Sequence, residues 1–224
     1  MKTHAIVTGA AGILGQAVTQ ALSQAGYRVT GIDRADDAGA ATQGAYLGGV
    51  DLTDPQATAA AVDQAINANG PVAALVNVAG TFRWETVADG DVATWATMFD
   101  INLRTAVNAV RAALPSLRDG GGAIVSIGAA SAIKAGAGMG AYAASKAGIA
   151  KLTEALAEEE KDNGIRVSAV QPSIIDTPAN RADMSDADFS RWVSPAQVAS
   201  VITFLLSDGA SGVTGACIPV TGRC

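Results

Sequence analysis

An α/β fold built on a doubly wound, seven-stranded parallel sheet with helices on both faces is what this sequence predicts, on three observations. Short apolar runs alternate with helical periodicities along nearly the whole chain, the arrangement that covers a parallel sheet with crossover helices. A glycine run follows the first apolar run and opens the first helical pattern. The composition, 49% hydrophobic with 25 Gly and only 7 Pro in 224 residues, fits one domain spanning 1–224 with a large core.

In chain order, strands are expected at His4 to Thr8, Arg28 to Asp33, Ala45 to Val50, Val72 to Asn77, Ala123 to Ile127, Arg166 to Val170 and Cys217 to Pro219. Each is short and mainly apolar, as strands buried on both faces are. Helices fill the gaps: Leu14 to Ala25, Asp54-Pro55 to about Asn69, Val92 to about Leu117, Tyr142 to about Lys161, and Ser194-Pro195 to Leu206. Asp54 and Ser194 are expected N-caps, each followed by proline in the first turn. The polar, weakly periodic segment Pro172 to Val193 is expected to form a substrate lid beyond the carboxyl ends of the strands.

The composition also excludes function classes. A formal net charge of -6, a pI near 4.7 and 15 scattered Lys and Arg argue against a nucleic-acid surface. The first strand pattern starts almost at Met1 and no apolar stretch reaches the roughly 20 residues a membrane helix requires, so neither a signal peptide nor a membrane span is expected. A cytoplasmic protein acting on a small molecule follows as the expectation. Cys217 and Cys224 suggest reduced thiols rather than a disulfide framework or a zinc site. The single histidine, His4, lies in the first strand pattern, which removes Ser-His-Asp catalysis and most transition-metal chemistry; no metal site is expected.

The run Thr8-Gly-Ala-Ala-Gly-Ile-Leu-Gly15 is placed to bind a dinucleotide. Gly9 permits the tight turn, Gly12 lets the backbone approach a pyrophosphate, and Gly15 allows close helix-to-strand packing, while Ile13 and Leu14 open the helix whose N-terminus attracts phosphate. Asp33, ending the second strand, has two readings: a carboxylate that binds both adenosine ribose hydroxyls and repels a 2′-phosphate, or a turn cap. The first favours NAD(H) over NADP(H), and the neighbouring Arg34, able to accept that phosphate, keeps NADP(H) open. Asp51, before Leu52, either accepts from the adenine amino group or begins the turn into the next helix.

Tyr142 and Lys146, in Gly140-Ala-Tyr-Ala-Ala-Ser-Lys146, stand four apart on an expected helix and so share one face. A lysine ammonium within several ångströms favours the phenolate of a tyrosine, whose ordinary pKa near 10 suits neither proton donation nor acceptance at neutral pH.

Taken together, the glycine run, Asn77-Val-Ala-Gly80 after the fourth strand, Asn102 in Ile-Asn-Leu, and Tyr142-x-x-x-Lys146 resemble the short-chain dehydrogenase/reductase family over essentially the whole chain. The resemblance implies a single-domain Rossmann oxidoreductase in which Tyr142 gives or takes a proton and Lys146 binds the nicotinamide ribose while depressing the tyrosine pKa. It further implies that Asn102 holds a water linking Lys146 to solvent, and that Asn77, Ala79 and Gly80 border the adenosine side. Pro172-Ser-Ile-Ile-Asp-Thr177 is similar to the family's nicotinamide loop, with backbone near Pro172 and Ile175 and the Thr177 hydroxyl as contacts; Thr177 also reads as an N-cap. A homodimer or homotetramer paired through the helices around Ala106 to Leu114 and Ala147 to Leu156 is expected.

One position departs from the family. The serine that normally stands about thirteen residues before the tyrosine, polarising a substrate carbonyl, is Ala129 here, and the nearest hydroxyls are Ser126 and Ser131. The chain resembles the dihydropteridine reductase branch at this point: a Gly-Ala run replaces the serine motif, Gly138-Met139 precedes the tyrosine, and Asp176-Thr-Pro-Ala-Asn-Arg181, Met184 and Ala187-Asp-Phe-Ser-Arg-Trp192 follow the sixth strand. That resemblance implies hydride transfer to an electron-poor conjugated imine such as a quinonoid dihydropteridine, with Ala129, Phe82, Trp84 and Met139 around it. An ordinary ketone or secondary alcohol is the competing substrate, and a dinucleotide-binding sensor without turnover the competing class.

Overall fold

The computed structural model describes residues 4–37 and 44–224. Strands β1 (His4–Thr8), β2 (Arg28–Ile32), β3 (Ala45–Leu47), β4 (Val72–Asn77), β5 (Gly122–Ile127), β6 (Ile165–Pro172) and β7 (Ala216–Val220) form one sheet ordered β3-β2-β1-β4-β5-β6-β7. Every pairing is parallel. The chain builds outward from β1 to β3, then crosses back to lay β4 on the other side of β1. The carboxyl ends of β1 and β4 therefore diverge into a crevice, the usual ligand position in an open parallel sheet.

The helices are α1 (Ile13–Gln24), α2 (Pro55–Asn69), α3 (Val92–Phe99), α4 (Thr105–Gly120), α5 (Gly140–Glu160), α6 (Pro178–Asp183) and α7 (Pro195–Leu205). Alternation along each strand supplies two cores. On one face Val7, Val76 and Val125 pack with Val18 and Leu22 of α1 and Val198 and Ile202 of α7. On the other, Ile6, Leu75 and Ile124 pack with Val62 of α2, Val110 and Leu117 of α4 and Leu156 of α5. Two of the helix starts are set by their caps: the Asp54 carboxylate accepts from Gln56 N and Ala57 N, and Ser194 forms a capping box with Gln197.

The differences from expectation have local causes. The second strand stops at Ile32, leaving Asp33 just beyond it, and the third stops at Leu47, before Gly49 turns with a φ of +70°. The sixth strand is longer than expected and carries Gln171 and Pro172, because it pairs with β7 as far as Pro172 opposite Val220. The expected helix from Val92 to Leu117 is interrupted over Asp100–Arg104 by a π-helical turn, in which Thr105 N donates to Asp100 O. Such a turn widens a helix and often marks a functional position; this one is centred on Asn102. The segment from Pro172 to Val193, expected as a lid, contains α6 and a 3₁₀ turn at Phe189–Arg191. Among the described residues no helix is long and apolar enough to cross a membrane.

Candidate active site

A groove of about 840 Å³ lies over the carboxyl ends of β1, β2 and β4. Its floor is the glycine loop. Gly9 has a φ of +66°, and a Cβ on it would stand 2.6 Å from Ala79 N; a Cβ on Gly15 would stand 2.0 Å from Gly9 O. Both positions therefore require glycine. Gly12 caps α1 without a side chain, so the first amides of that helix stay open toward the groove, a favourable place for phosphate. Thr8 Oγ1 accepts from Val78 N and Ala79 N and ties the opposite wall to the end of β1.

Gly9, Gly12, Ile13, Leu14, Gly15, Asp33, Asp51, Leu52, Ala79, Gly80 and Thr177 all line this groove, as the sequence suggests. Asp33 also serves as a cap: its carboxylate accepts from Ala11 N at 2.9 Å and Ala35 N at 3.1 Å, which fixes the charge at the mouth of the glycine loop. Arg34 lines the groove beside it. The Asp51 carboxylate accepts from the Thr53 hydroxyl and backbone N–H, and these bonds hold it below the usual carboxylate range. Thr177 caps α6 by accepting from Asn180 N.

Asn77 is turned inward. It is 3% exposed and does not line the groove. Its amide nitrogen donates instead to Ser126 Oγ across the β4–β5 pair, where the parallel register sets the two residues side by side. Pro172 and Ile175 also lie off the groove wall. Ile175 bridges to Val193: Val193 N donates to Ile174 O and Asp176 N to Val193 O. In a parallel bridge that pattern turns the Ile175 N–H and C=O to the other side, where Asn180 Nδ2 donates to the carbonyl. Ala11, Thr81, Ile101 and Thr105 line the groove unforeseen; the last two come from the π turn and the start of α4 that follows it, a placement that residue spacing on a regular helix does not reveal.

Gly80 joins the groove to a second cluster. A Cβ on it would stand 2.9 Å from Asn102 Oδ1 and 3.2 Å from Lys146 Nζ. Asn102 Oδ1 accepts from Thr81 N at 2.7 Å and Asn102 Nδ2 donates to Ser145 Oγ at 3.0 Å; Ser145 Oγ in turn donates to Tyr142 O at 2.7 Å. The asparagine thus ties the π turn, the groove wall and the first turn of α5 together. Lys146 is 4% exposed and donates to Ile127 O at 2.8 Å.

The electrostatics correct the expectation for the tyrosine. Burial pushes the Tyr142 phenol up to about 12 rather than down, and burial pulls the Lys146 ammonium to about 8. The lysine charge is directed to the Ile127 carbonyl. Near neutral pH the phenol is therefore in its protonated form, which suits it to give a proton.

Around Tyr142 the surface is aromatic. The Phe82 ring meets the Tyr142 ring edge to face, with centroids 4.9 Å apart. Trp84 lies so close over Gly138 that a Cβ there would stand 2.1 Å from its indole, and Trp95 lies against Gly140. Phe82 and Trp84 are 50% and 60% exposed, a large apolar area to leave in water. Met139 precedes α5 in the same turn, its sulfur next to Gly136. Ala129 is buried at the start of a 3₁₀ turn. Of the two nearest hydroxyls, Ser126 Oγ is buried in β5 and engaged by Asn77, and Ser131 Oγ is enclosed with no hydrogen-bond partner.

Comparison with known proteins agrees with this geometry. Residues 3–188 match the family described as short chain dehydrogenase. Acetoacetyl-CoA reductase of Acinetobacter sp. (strain RA3849) is 32% identical over 97% of this chain and 96% of its own. A 4-formylbenzenesulfonate dehydrogenase of Comamonas testosteroni is 34% identical over 99% of this chain and 97% of its own. Aldohexose dehydrogenase of Thermoplasma acidophilum superimposes with a TM-score of 0.91 at 27% identity, covering 99% of this chain and 93% of that one.

Proposed function

Because the chain belongs to the short-chain dehydrogenase family, and so is an NAD(P)-dependent oxidoreductase, we propose that it works with NAD(H) on a flat conjugated acceptor, of which a quinonoid dihydropteridine is the leading type. The observations that carry this reading are the exposed aromatic side chains of Phe82, against Tyr142, and Trp84, over Gly138, and the absence of a hydroxyl at Ala129. A flat ring would cover that wall. An electron-poor conjugated system accepts hydride with less help from a polarising donor than a simple ketone needs.

The residues present fit a dinucleotide. The amides of the first turn of α1 would hold the pyrophosphate, Asp33 the adenosine ribose, Lys146 the second ribose, and the Thr177 hydroxyl the carboxamide. When bound, the nicotinamide supplies or accepts the hydride. Tyr142 then gives its phenol proton to the substrate atom that gains the electron pair. Asn102 keeps α5 in place during this exchange through Thr81 and Ser145. Asp33 supports NAD(H) over NADP(H), because a 2′-phosphate would meet its carboxylate at the mouth of the loop.

Steady-state oxidation of NADH with a quinonoid dihydropteridine and with simple ketones tests the reading. The expected result is a higher kcat/KM for the conjugated acceptor, and a Tyr142→Phe variant that loses about 100 to 10,000-fold in turnover with NADH affinity nearly intact. Unchanged turnover in that variant would end the proposal. A second reading, an ordinary ketone or secondary alcohol substrate, is supported by the name of the acetoacetyl-CoA reductase relative. Faster turnover with simple ketones than with any conjugated acceptor would select it.

A further inference from the structure

We infer that the Gln171 side-chain amide is a further catalytic residue, supplying from the neighbouring strand the substrate hydrogen bond that Ala129 cannot give. The inference rests on the oxidoreductase reading above and adds a group to the same site.

Gln171 is 4% exposed, yet among the described residues nothing is hydrogen-bonded to its side chain. A buried amide without partners costs on the order of a few kcal/mol, so such groups are uncommon unless something else meets them. Nor is it one of the fully enclosed orphan groups, which are Asn77 Oδ1, Ser131 Oγ and Ser168 Oγ. Its small remaining surface therefore includes the amide end. A ligand entering the site would meet a donor and an acceptor ready for use.

The position is the significant point. Gly128 N donates to Val170 O, so the end of β5 runs beside Gln171. A Cβ on Gly128 would stand 3.1 Å from Gln171 Cγ and 4.0 Å from Gln171 Nε2. The Gln171 side chain thus packs against Gly128, which in the chain immediately precedes Ala129, where a serine hydroxyl is missing. Ala169 packs with Ile149 of α5. Strand alternation puts Gln171 on the same face, two residues nearer the carboxyl edge, toward the first turn of α5, which carries Tyr142. Glycine at 128 leaves the room that the glutamine side chain occupies. Ser126 and Ser131, the hydroxyls nearest in sequence, are engaged or enclosed. The Gln171 Nε2–H is left as the donor for the carbonyl oxygen or ring nitrogen on which charge develops, while Tyr142 delivers the proton.

A preorganised donor of this kind is worth about 100 to 1,000-fold in rate. The test is steady-state kinetics on Gln171→Leu, Gln171→Glu, Ala129→Ser and Ala129→Ser/Gln171→Leu, with NADH titration and thermal melting as controls for folding. The Gln171→Leu variant is expected to lose about 100-fold or more in kcat with NADH affinity within about threefold. Adding Ala129→Ser to it is expected to recover at least about tenfold, whereas Ala129→Ser alone gains little, because one donor already serves the position. The Gln171→Glu variant keeps the shape even where Gln171→Leu does not fold; it is expected to be slow at neutral pH and to recover as acid protonates the new carboxyl. Turnover in the Gln171→Leu and Gln171→Glu variants within about threefold of the parent chain would overturn the inference while leaving the oxidoreductase reading intact. Absence of any NADH or NADPH oxidation by the parent chain across carbonyl and quinonoid acceptors would overturn the substrate reading and this inference with it.

Discussion

Gly80→Ala probes the joint between the cofactor groove and the proton-transfer cluster. The added Cβ would stand 2.9 Å from Asn102 Oδ1, whereas ordinary contact begins at 3.4 Å, so the amide must retreat by about 0.5 Å. Lys146 Nζ, 3.2 Å away, must retreat by about 0.2 Å. Neither is free to do so. Asn102 is held by Thr81 N at 2.7 Å and Ser145 Oγ at 3.0 Å, and Lys146 by Ile127 O at 2.8 Å. Breaking one bond of a buried amide costs about 1–3 kcal/mol, which for a chain of this size lowers Tm by roughly 2–12 °C. A 1 Å misplacement of catalytic groups costs on the order of 100-fold, so a shift half that size is expected to cost about tenfold or somewhat more in kcat. Stopped-flow or steady-state turnover, read beside a melting curve and an NADH titration, separates the two effects. If kcat stays within about twofold and Tm within about 1 °C of the parent, Asn102 and Lys146 are not braced as described and the reasoning fails.

Three further outcomes follow from individual contacts. Removing the carboxylate in Asp33→Ser is expected to raise the NADPH to NADH ratio of kcat/KM at least about tenfold, since Arg34 remains beside it; an unchanged ratio would show that Asp33 acts only as the cap of Ala11. His4 is fully buried, its ring nitrogens in hydrogen-bonding distance of Gly70 O and Thr30 Oγ1, and burial holds its pKa below the ordinary 6.5. The unfolded chain takes up a proton that the folded chain resists, so stability falls as pH drops below about 6.5; urea midpoints at pH 5 and 7 should differ more for the parent than for His4→Gln, and equal differences would refute this. The Arg118 guanidinium and Asn163 hold the buried Glu160 carboxyl below its usual 4.5, stability that is present above that pH and lost as acid protonates the group. Arg118→Met should therefore lower the denaturation midpoint more at pH 7 than at pH 4, and a pH-independent loss would count against the pair.

Much of the fold was legible because its causes are local in sequence. Asp54-Pro55 and Ser194-Pro195 start helices through their own side chains, and continuous apolar runs mark strands covered on both faces. The glycine loop was equally legible, since the turn at Gly9 and the close approach at Gly15 require residues without a Cβ. Less was legible where a partner comes from another element. Asn77 follows the fourth strand in a familiar run, yet the β4–β5 register turns it to Ser126 and away from the groove. The π turn at Asn102 replaces the regular periodicity that the surrounding residues suggest.

The sequence by itself therefore determined the succession of strands and helices along the chain, the phosphate-binding loop and the pairing of Tyr142 with Lys146 on one helix, because each follows from residues a few positions apart. Only the tertiary structure decided what those groups experience. Burial, which depends on everything packed around α5, drives the Tyr142 phenol up to about 12, while Ile127, 19 positions from Lys146 in the chain, receives its charge. Alignment of β5 with β6 likewise brings Gln171 against Gly128, beside an alanine that sequence alone reads as a missing donor.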